Sequence, residues 1–176
     1  PGIVDAIGAV APGLRVELVD GVPGPPTSAD VRAAGWAEAL VLLHALGPAD
    51  VPLVAPSGAQ ATATIDPADP AAPIRVTVRC GQVLDAITLR SYCIGAAHMG
   101  LGWVTSEALS VDPATGEMLD LTIRSFGVLR ASDTPPIHIT IEADDTEPVN
   151  GSDAVFAAVA AAAWRSRGFP TDWPTG

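Results

Sequence analysis

The chain has 176 residues, 48% of them apolar, and carries 20 acidic residues against nine basic ones for a formal net charge of -11. That length leads to an expectation of one domain with a sizeable core, and no apolar run reaches the roughly 18 residues that a membrane-spanning helix needs. The basic residues are all arginines scattered along the chain, which excludes nucleic acid as the expected partner, because phosphate backbones are bound through concentrated positive charge.

Cys80 and Cys93 are the only cysteines, with no CxxC or HxxxH beside them. Neither a structural zinc site nor a disulfide framework is expected, and a reduced, cytoplasmic compartment is. Asn150-Gly151-Ser152 matches a glycosylation acceptor but is also a strong turn signal, and the turn is the better explanation.

In chain order, residues 2 to 11 (GIVDAIGAVA) place apolar side chains at helical spacing. Through Pro12-Gly13 they lead into LRVELVD (14 to 20), whose alternation predicts a half-buried strand. GVPGPP (21 to 26) continues neither element. Ser28 and Asp30 then suit the cap of a long helix, ADVRAAGWAEALVLLHALG (29 to 47), which Gly47-Pro48 ends. The connector from 48 to 73 holds one strand, QATATID (60 to 66), and an exposed loop, DPADPAAP. IRVTVRC (74 to 80) alternates and reads as a strand.

SYCIGAAHMGLGWVTSEAL (91 to 109) follows as a helix, ALSVD and EMLDLTI form a hairpin around Asp112 to Gly116, and IHITIEA (137 to 143) is a further strand. An acidic loop, DDTEPVNGSD, precedes the alanine-dense helix AVFAAVAAAAWRSR (154 to 167). Gly168 closes that helix and a proline-bearing tail completes the chain to 176. These elements make a single α+β domain over 1 to 176, with helices packed on a mixed, largely antiparallel sheet.

Gly95, Gly100 and Gly102 each cost roughly 1 kcal/mol relative to alanine in a helix interior. One explanation is close helix-on-helix packing. The other is that a helix start at Ser91-Tyr92 presents free N–H groups to an anion, with Gly95, Ala96 and Ala97 letting it settle on the backbone. The residue types alone admit both.

The run GQVLDAITLRSYCIGAAHMGLGWVTSEALSVDPATGEMLD resembles the C-terminal part of the large, molybdopterin-binding subunit of the xanthine dehydrogenase and aldehyde oxidase family. The family pattern there is GQIxGGxxQGLGxALxEE followed by a DPxTGxLL hairpin. The likeness continues through RSFGVLRASDTPPIHITIE and NGSDAVFAAVAAAAW. Upstream, the segment from Ile3 to Leu43 is similar to the family's helix, strand, Ser-rich loop and helix beside the pterin.

The resemblance implies a molybdopterin cofactor near Thr27, Ser28, Ser91, Tyr92, Gly95, Ala96, Gly151 and Ser152. It also implies a role as a component of a molybdenum-dependent hydroxylase. The family's cofactor-contacting glutamine of the GQ pair falls on Tyr92, its second glutamine, before GLG, on Met99, and its Gly-Gly pair on Gly95-Ala96. Its base glutamate falls on Ser152, with Asp153 one position along. A serine hydroxyl is no substitute for a carboxylate base near neutral pH, so no catalytic residue is expected in this chain alone. No metal ligand set is expected either, and two isolated cysteines hold no iron–sulfur cluster. A flavin site has no counterpart here.

Two functions follow as expectations: a degenerate molybdopterin-binding domain without its base, or a non-catalytic binding or assembly module, as a homodimer or as the partner of a larger subunit. Of the remaining candidates, Cys93 and His98 lie about 140° apart on a helix and do not face each other. Cys93 reads as a core residue and His98 as a hydrogen-bonded interior histidine. Glu142, Asp144, Asp145 and Glu147 read as a solvated loop. Trp164 reads as a core anchor, and Arg165 and Arg167 suit a helix C-terminus.

Overall fold

The computed structural model describes residues 3–10, 12–13, 15–17, 34–119, 122–142, 144–172 and 174–175. The helices are α1 (Ile3–Val10), α2 (Ala34–Leu46), α3 (Ala86–Thr105), the single turn α4 (Ile123–Phe126) and α5 (Ser152–Ser166). The strands are β1 (Leu53–Val54), β2 (Gln60–Thr64), β3 (Ile74–Arg79) and β4 (Ile137–Glu142), in the order β1-β2-β3-β4. The first two pairings are antiparallel, and β3 with β4 is parallel. A parallel neighbour needs a long crossover, and the segment containing α3 supplies it. The fold is therefore α+β with a mixed sheet.

Alternation explains β3, where Ile74, Val76 and Val78 point into the core and Arg75 and Arg79 point out. On β2, Ala61 and Ala63 fill the same face. Small side chains there let α5 lie directly on the sheet. From Ala154 to Ala163 every residue of α5 except Phe156 is buried, because the sheet covers one side while α2 and α3 cover the other. A helix enclosed in this way has no polar face to present.

The contact of α3 with α5 answers the glycine question. A Cβ on Gly100 would lie 2.5 Å from the carbonyl oxygen of Phe156 and 3.4 Å from the amide of Ala160, so the two backbones touch. Gly102 admits Glu107 and Leu129 in the same manner, with Glu107 Oε1 2.9 Å from its Cβ position. Gly95 faces open space. Packing explains two of the three glycines and nothing in the structure explains the third.

Several predicted boundaries move. The expected helix start at Ser91 is a correction: α3 begins at Ala86, where the Asp85 carboxylate accepts from the amides of Ile87 (2.9 Å) and Thr88 (2.8 Å). Arg15 to Glu17 form no strand, and the rest of LRVELVD apart from those three residues lies outside the described residues. The hairpin at Asp112 to Gly116 closes with the bridge Val111–Met118 and takes no part in the sheet.

Gly168 does end α5, with φ of 76°, but the tail is tied back. Trp164 Nε1 donates to the Pro170 carbonyl at 3.0 Å, Phe169 packs edge-on against Trp164, and the Thr175 amide donates to the Val104 carbonyl at 2.8 Å. Trp164 is half-buried, so it anchors the tail at the margin of the core.

Arg165 holds the end of a different helix from its own. Its guanidinium donates to the carbonyls of His44 (2.9 Å), Ala45 (3.1 Å) and Gly47 (3.0 Å) at the C-terminal end of α2, where the helix's own hydrogen-bond ladder runs out. Burial, and then the Arg165 charge, lower the pKa of His44, so its imidazole is neutral at neutral pH.

Two stability predictions follow from these contacts, both checked by urea unfolding. Gly100→Ala destabilises by about 1–3 kcal/mol because backbone must move, whereas Gly95→Ala stabilises by about 0.5–1 kcal/mol through helix propensity alone. Arg165→Ala loses charge-assisted hydrogen bonds to three carbonyls and costs about 1.5–3 kcal/mol.

Candidate functional site

The predicted site divides into three pieces. One is the turn that leads into α5. At the end of β3, Gly81 takes φ of 79°, and a side chain there would collide with the carbonyl of Glu147. The acidic loop can therefore fold back on the strand: Gln82 N–H donates to Thr146 O at 3.0 Å and Val149 N–H to Cys80 O at 3.0 Å. This places Asn150 at the head of α5.

The Asn150 side chain then organises the turn. Its Oδ1 accepts from the Ser152 amide (3.0 Å) and from Ser152 Oγ (2.6 Å), and its Nδ2 donates to Asp153 Oδ1 at 3.3 Å. The Ser152 proton is committed to Asn150, so this hydroxyl acts as a structural donor. Asp153 is likewise engaged by the Asn150 amide. Gly151 is buried, and a Cβ there would meet Val78 Cγ2 at 3.1 Å and the Cys80 side chain at 3.2 Å, so close packing on β3 accounts for this glycine.

The second piece is α3, where Ser91, Tyr92 and Gly95 share the solvent face and Ala96 points into the core at 2% exposure. The structure does not bring these four together on one surface. Ser91 and Tyr92 also stand beyond the first turn of α3, so their amides lie inside the helical hydrogen-bond ladder. The backbone route by which a cofactor phosphate would settle on free amides at Ser91 to Gly95 is therefore closed. Arg90, the cation beside them, donates to the edge carbonyl of Ile139 at 2.6 Å. The third piece, Thr27 and Ser28, lies outside the described residues.

The hydrogen bond expected of His98 is present, on a half-buried ring, but the sequence reading identified neither its partner Thr134 nor Glu107 nearby. Thr134 Oγ1 donates to Arg130 O at 2.9 Å, and its single proton is thereby spent. It must then accept from His98 Nδ1, 2.9 Å away, so Nδ1 carries a proton. Glu107, over Gly102 one turn along the same face of α3, has its pKa raised by burial and opposed by the charge of His98. The signal for this group was the spacing of His98 and Gly102, which share a helix face at i and i+4.

Among the described residues no three His, Cys, Asp or Glu side chains are grouped to hold a metal ion, and no helix is long and apolar enough to cross a membrane. In the acidic run, Glu142 pairs with Arg79 at 2.9 Å and Asp144 accepts from the Thr146 hydroxyl and amide. Cys93 is fully buried, as expected of a core residue.

No family model matches the chain, and no curated protein matches it significantly. Among solved structures, the chain is similar to quinoline 2-oxidoreductase from Pseudomonas putida 86, with a TM-score of 0.48 and 16% identity. That match takes in 53% of this chain and 12% of the other.

Both thiols are predicted to be inert in the folded protein. Burial, then the neighbouring Cys80, pushes the Cys93 pKa up to about 11 against the opposing charge of Arg90. Burial, then Asp144, raises that of Cys80. Because the thiolate is the nucleophile, labelling by iodoacetamide at pH 7 is expected only as the protein unfolds, with a rate that tracks denaturant. Fast labelling of Cys93 in native buffer would contradict the assignment.

Proposed function

We propose that this chain is a molybdenum hydroxylase-related domain with no chemistry of its own, acting as a binding and assembly module for a larger partner subunit. The observation that carries this reading is the uncovered apolar surface at the start of α3. Leu84 and Ile87 are 82% and 84% exposed, and Tyr92, Ile94 and Met99 extend the exposure along the helix. Large aliphatic side chains left in water at adjoining positions mark a surface that is covered in use.

A partner subunit suits this surface better than a second copy. Each chain carries a formal charge of -11, and bringing two together sets like charges against the apolar gain. The committed hydrogen bonds of Ser152 and Asp153 support a role without a base. The molybdopterin part of the reading rests on the sequence resemblance at Gly151-Ser152, since the helical ladder closes the backbone at Ser91 to Gly95. When bound, that group would supply metal-centred hydroxylation, and this chain would contribute the turn held by Asn150 as part of a wall completed by the partner.

Light scattering and metal analysis test the reading. The chain alone is expected to be monomeric at low ionic strength and free of molybdenum. Purified from its native host, it is expected in a stoichiometric complex that Ile87→Asp dissociates. A homodimer that persists at low salt, or molybdenum bound near stoichiometry by the isolated chain, would contradict the proposal.

A further inference from the structure

On the flank that carries α4, an open cavity of about 770 Å³ lies between Ser106 and the segment from Ile123 to Asp133. Its size is within the range of pockets that take small organic ligands. Two of the chain's nine arginines, Arg124 and Arg130, line it, against one carboxylate, Asp133. In a protein of net charge -11 this is a local excess of positive charge.

Neither guanidinium is saturated. Arg124 has no ion pair or hydrogen bond among the described residues, and Arg130 Nε meets Asp133 Oδ2 only at 3.7 Å, beyond hydrogen-bond reach. The backbone around them is nonetheless held in place. Thr134 Oγ1 and the Asp133 amide both donate to the Arg130 carbonyl, at 2.9 and 3.0 Å, and Ala108 N–H donates to Phe126 O at 2.9 Å. Gly127, with φ of 77°, lets this segment approach the carbonyl of Ser106. Any side chain at 127 would press on that wall. Val128 and Leu129 make part of the lining apolar.

A guanidinium in a cavity that also has aliphatic lining suits a carboxylate, which takes two parallel N–H···O bonds from one such planar fork of donors. We infer that this cavity binds a small organic carboxylate, its charged end on Arg124 and Arg130 and its apolar body against Val128 and Leu129. The inference is independent of the assembly reading, since it uses a different part of the surface.

Titration calorimetry on the full chain, with benzoate as probe and benzamide as its neutral counterpart, tests it. Saturable one-to-one binding of benzoate is expected, with benzamide about tenfold weaker and benzoate affinity falling as sodium chloride rises. Arg124→Gln is expected to weaken benzoate binding by about tenfold with an unchanged circular dichroism spectrum, because Arg124 supports no fold contact; the further change Arg130→Gln removes the remainder. Absence of saturable benzoate binding, equal binding of benzamide, or an affinity untouched by Arg124→Gln would overturn the inference.

Discussion

The structure depends on one helix being thin. Alanine at seven of the ten positions from Ala154 to Ala163 gives α5 a diameter that the sheet, α2 and α3 can all approach, and among the described residues it is the one helix that the other elements enclose on both sides. Where even alanine would be too large, glycine takes its place on the facing helix, and Gly100 meets the Phe156 carbonyl directly. Hydrophobic gain per residue is small for such side chains, so the core is stabilised by the number of close contacts over a long shared surface. The arrangement tolerates deletion of atoms poorly, because so few are present, and insertion of atoms worse.

Such a core takes in Ile74, Leu53 and several valines but leaves other large aliphatic side chains in water. Ile87, Leu84 and Tyr92 stand in water at the outer end of α3 while Cys93, Ala96 and Ala97 on the other side of the same helix are fully packed. The packed side of the helix is small and apolar, while its exposed side mixes Ile87 and Tyr92 with Thr88, Arg90 and Ser91. In the proposed assembly reading, the exposed aliphatic side chains Leu84 and Ile87 are the contact with a partner. The turn at Asn150 agrees with it, since its hydroxyl, carboxylate and amide groups are spent on one another.

Much of the fold was legible in the sequence because periodicity is local. Alternation located β2, β3 and β4 to within about two residues, and Gly168 stopped α5 where a left-handed residue was needed. The start of α3 was signalled by Asp85, an N-cap residue that the apolar pattern beyond it obscured. β1 has two residues, too few for any pattern.

The alternating LRVELVD shows the limit of pattern reasoning, since Arg15 to Glu17 form no strand despite the fitting sequence: a strand needs a partner, which composition does not supply. The glycines show the same limit at the site. Gly95 and Gly100 are identical in type and five residues apart, yet one faces water and the other a carbonyl. Arg165 was expected to serve its own helix and instead serves α2, a contact spanning 121 residues to His44.

Native-state hydrogen exchange tests the role of α5 most directly. If this helix is the element around which all others pack, amides from Ala157 to Ala163 exchange only through global unfolding, with a protection free energy equal to that of the whole domain. Amides of α2 and of the outer half of α3 open earlier. Exchange of the α5 amides at the rate of those outer segments, or faster, would contradict the account.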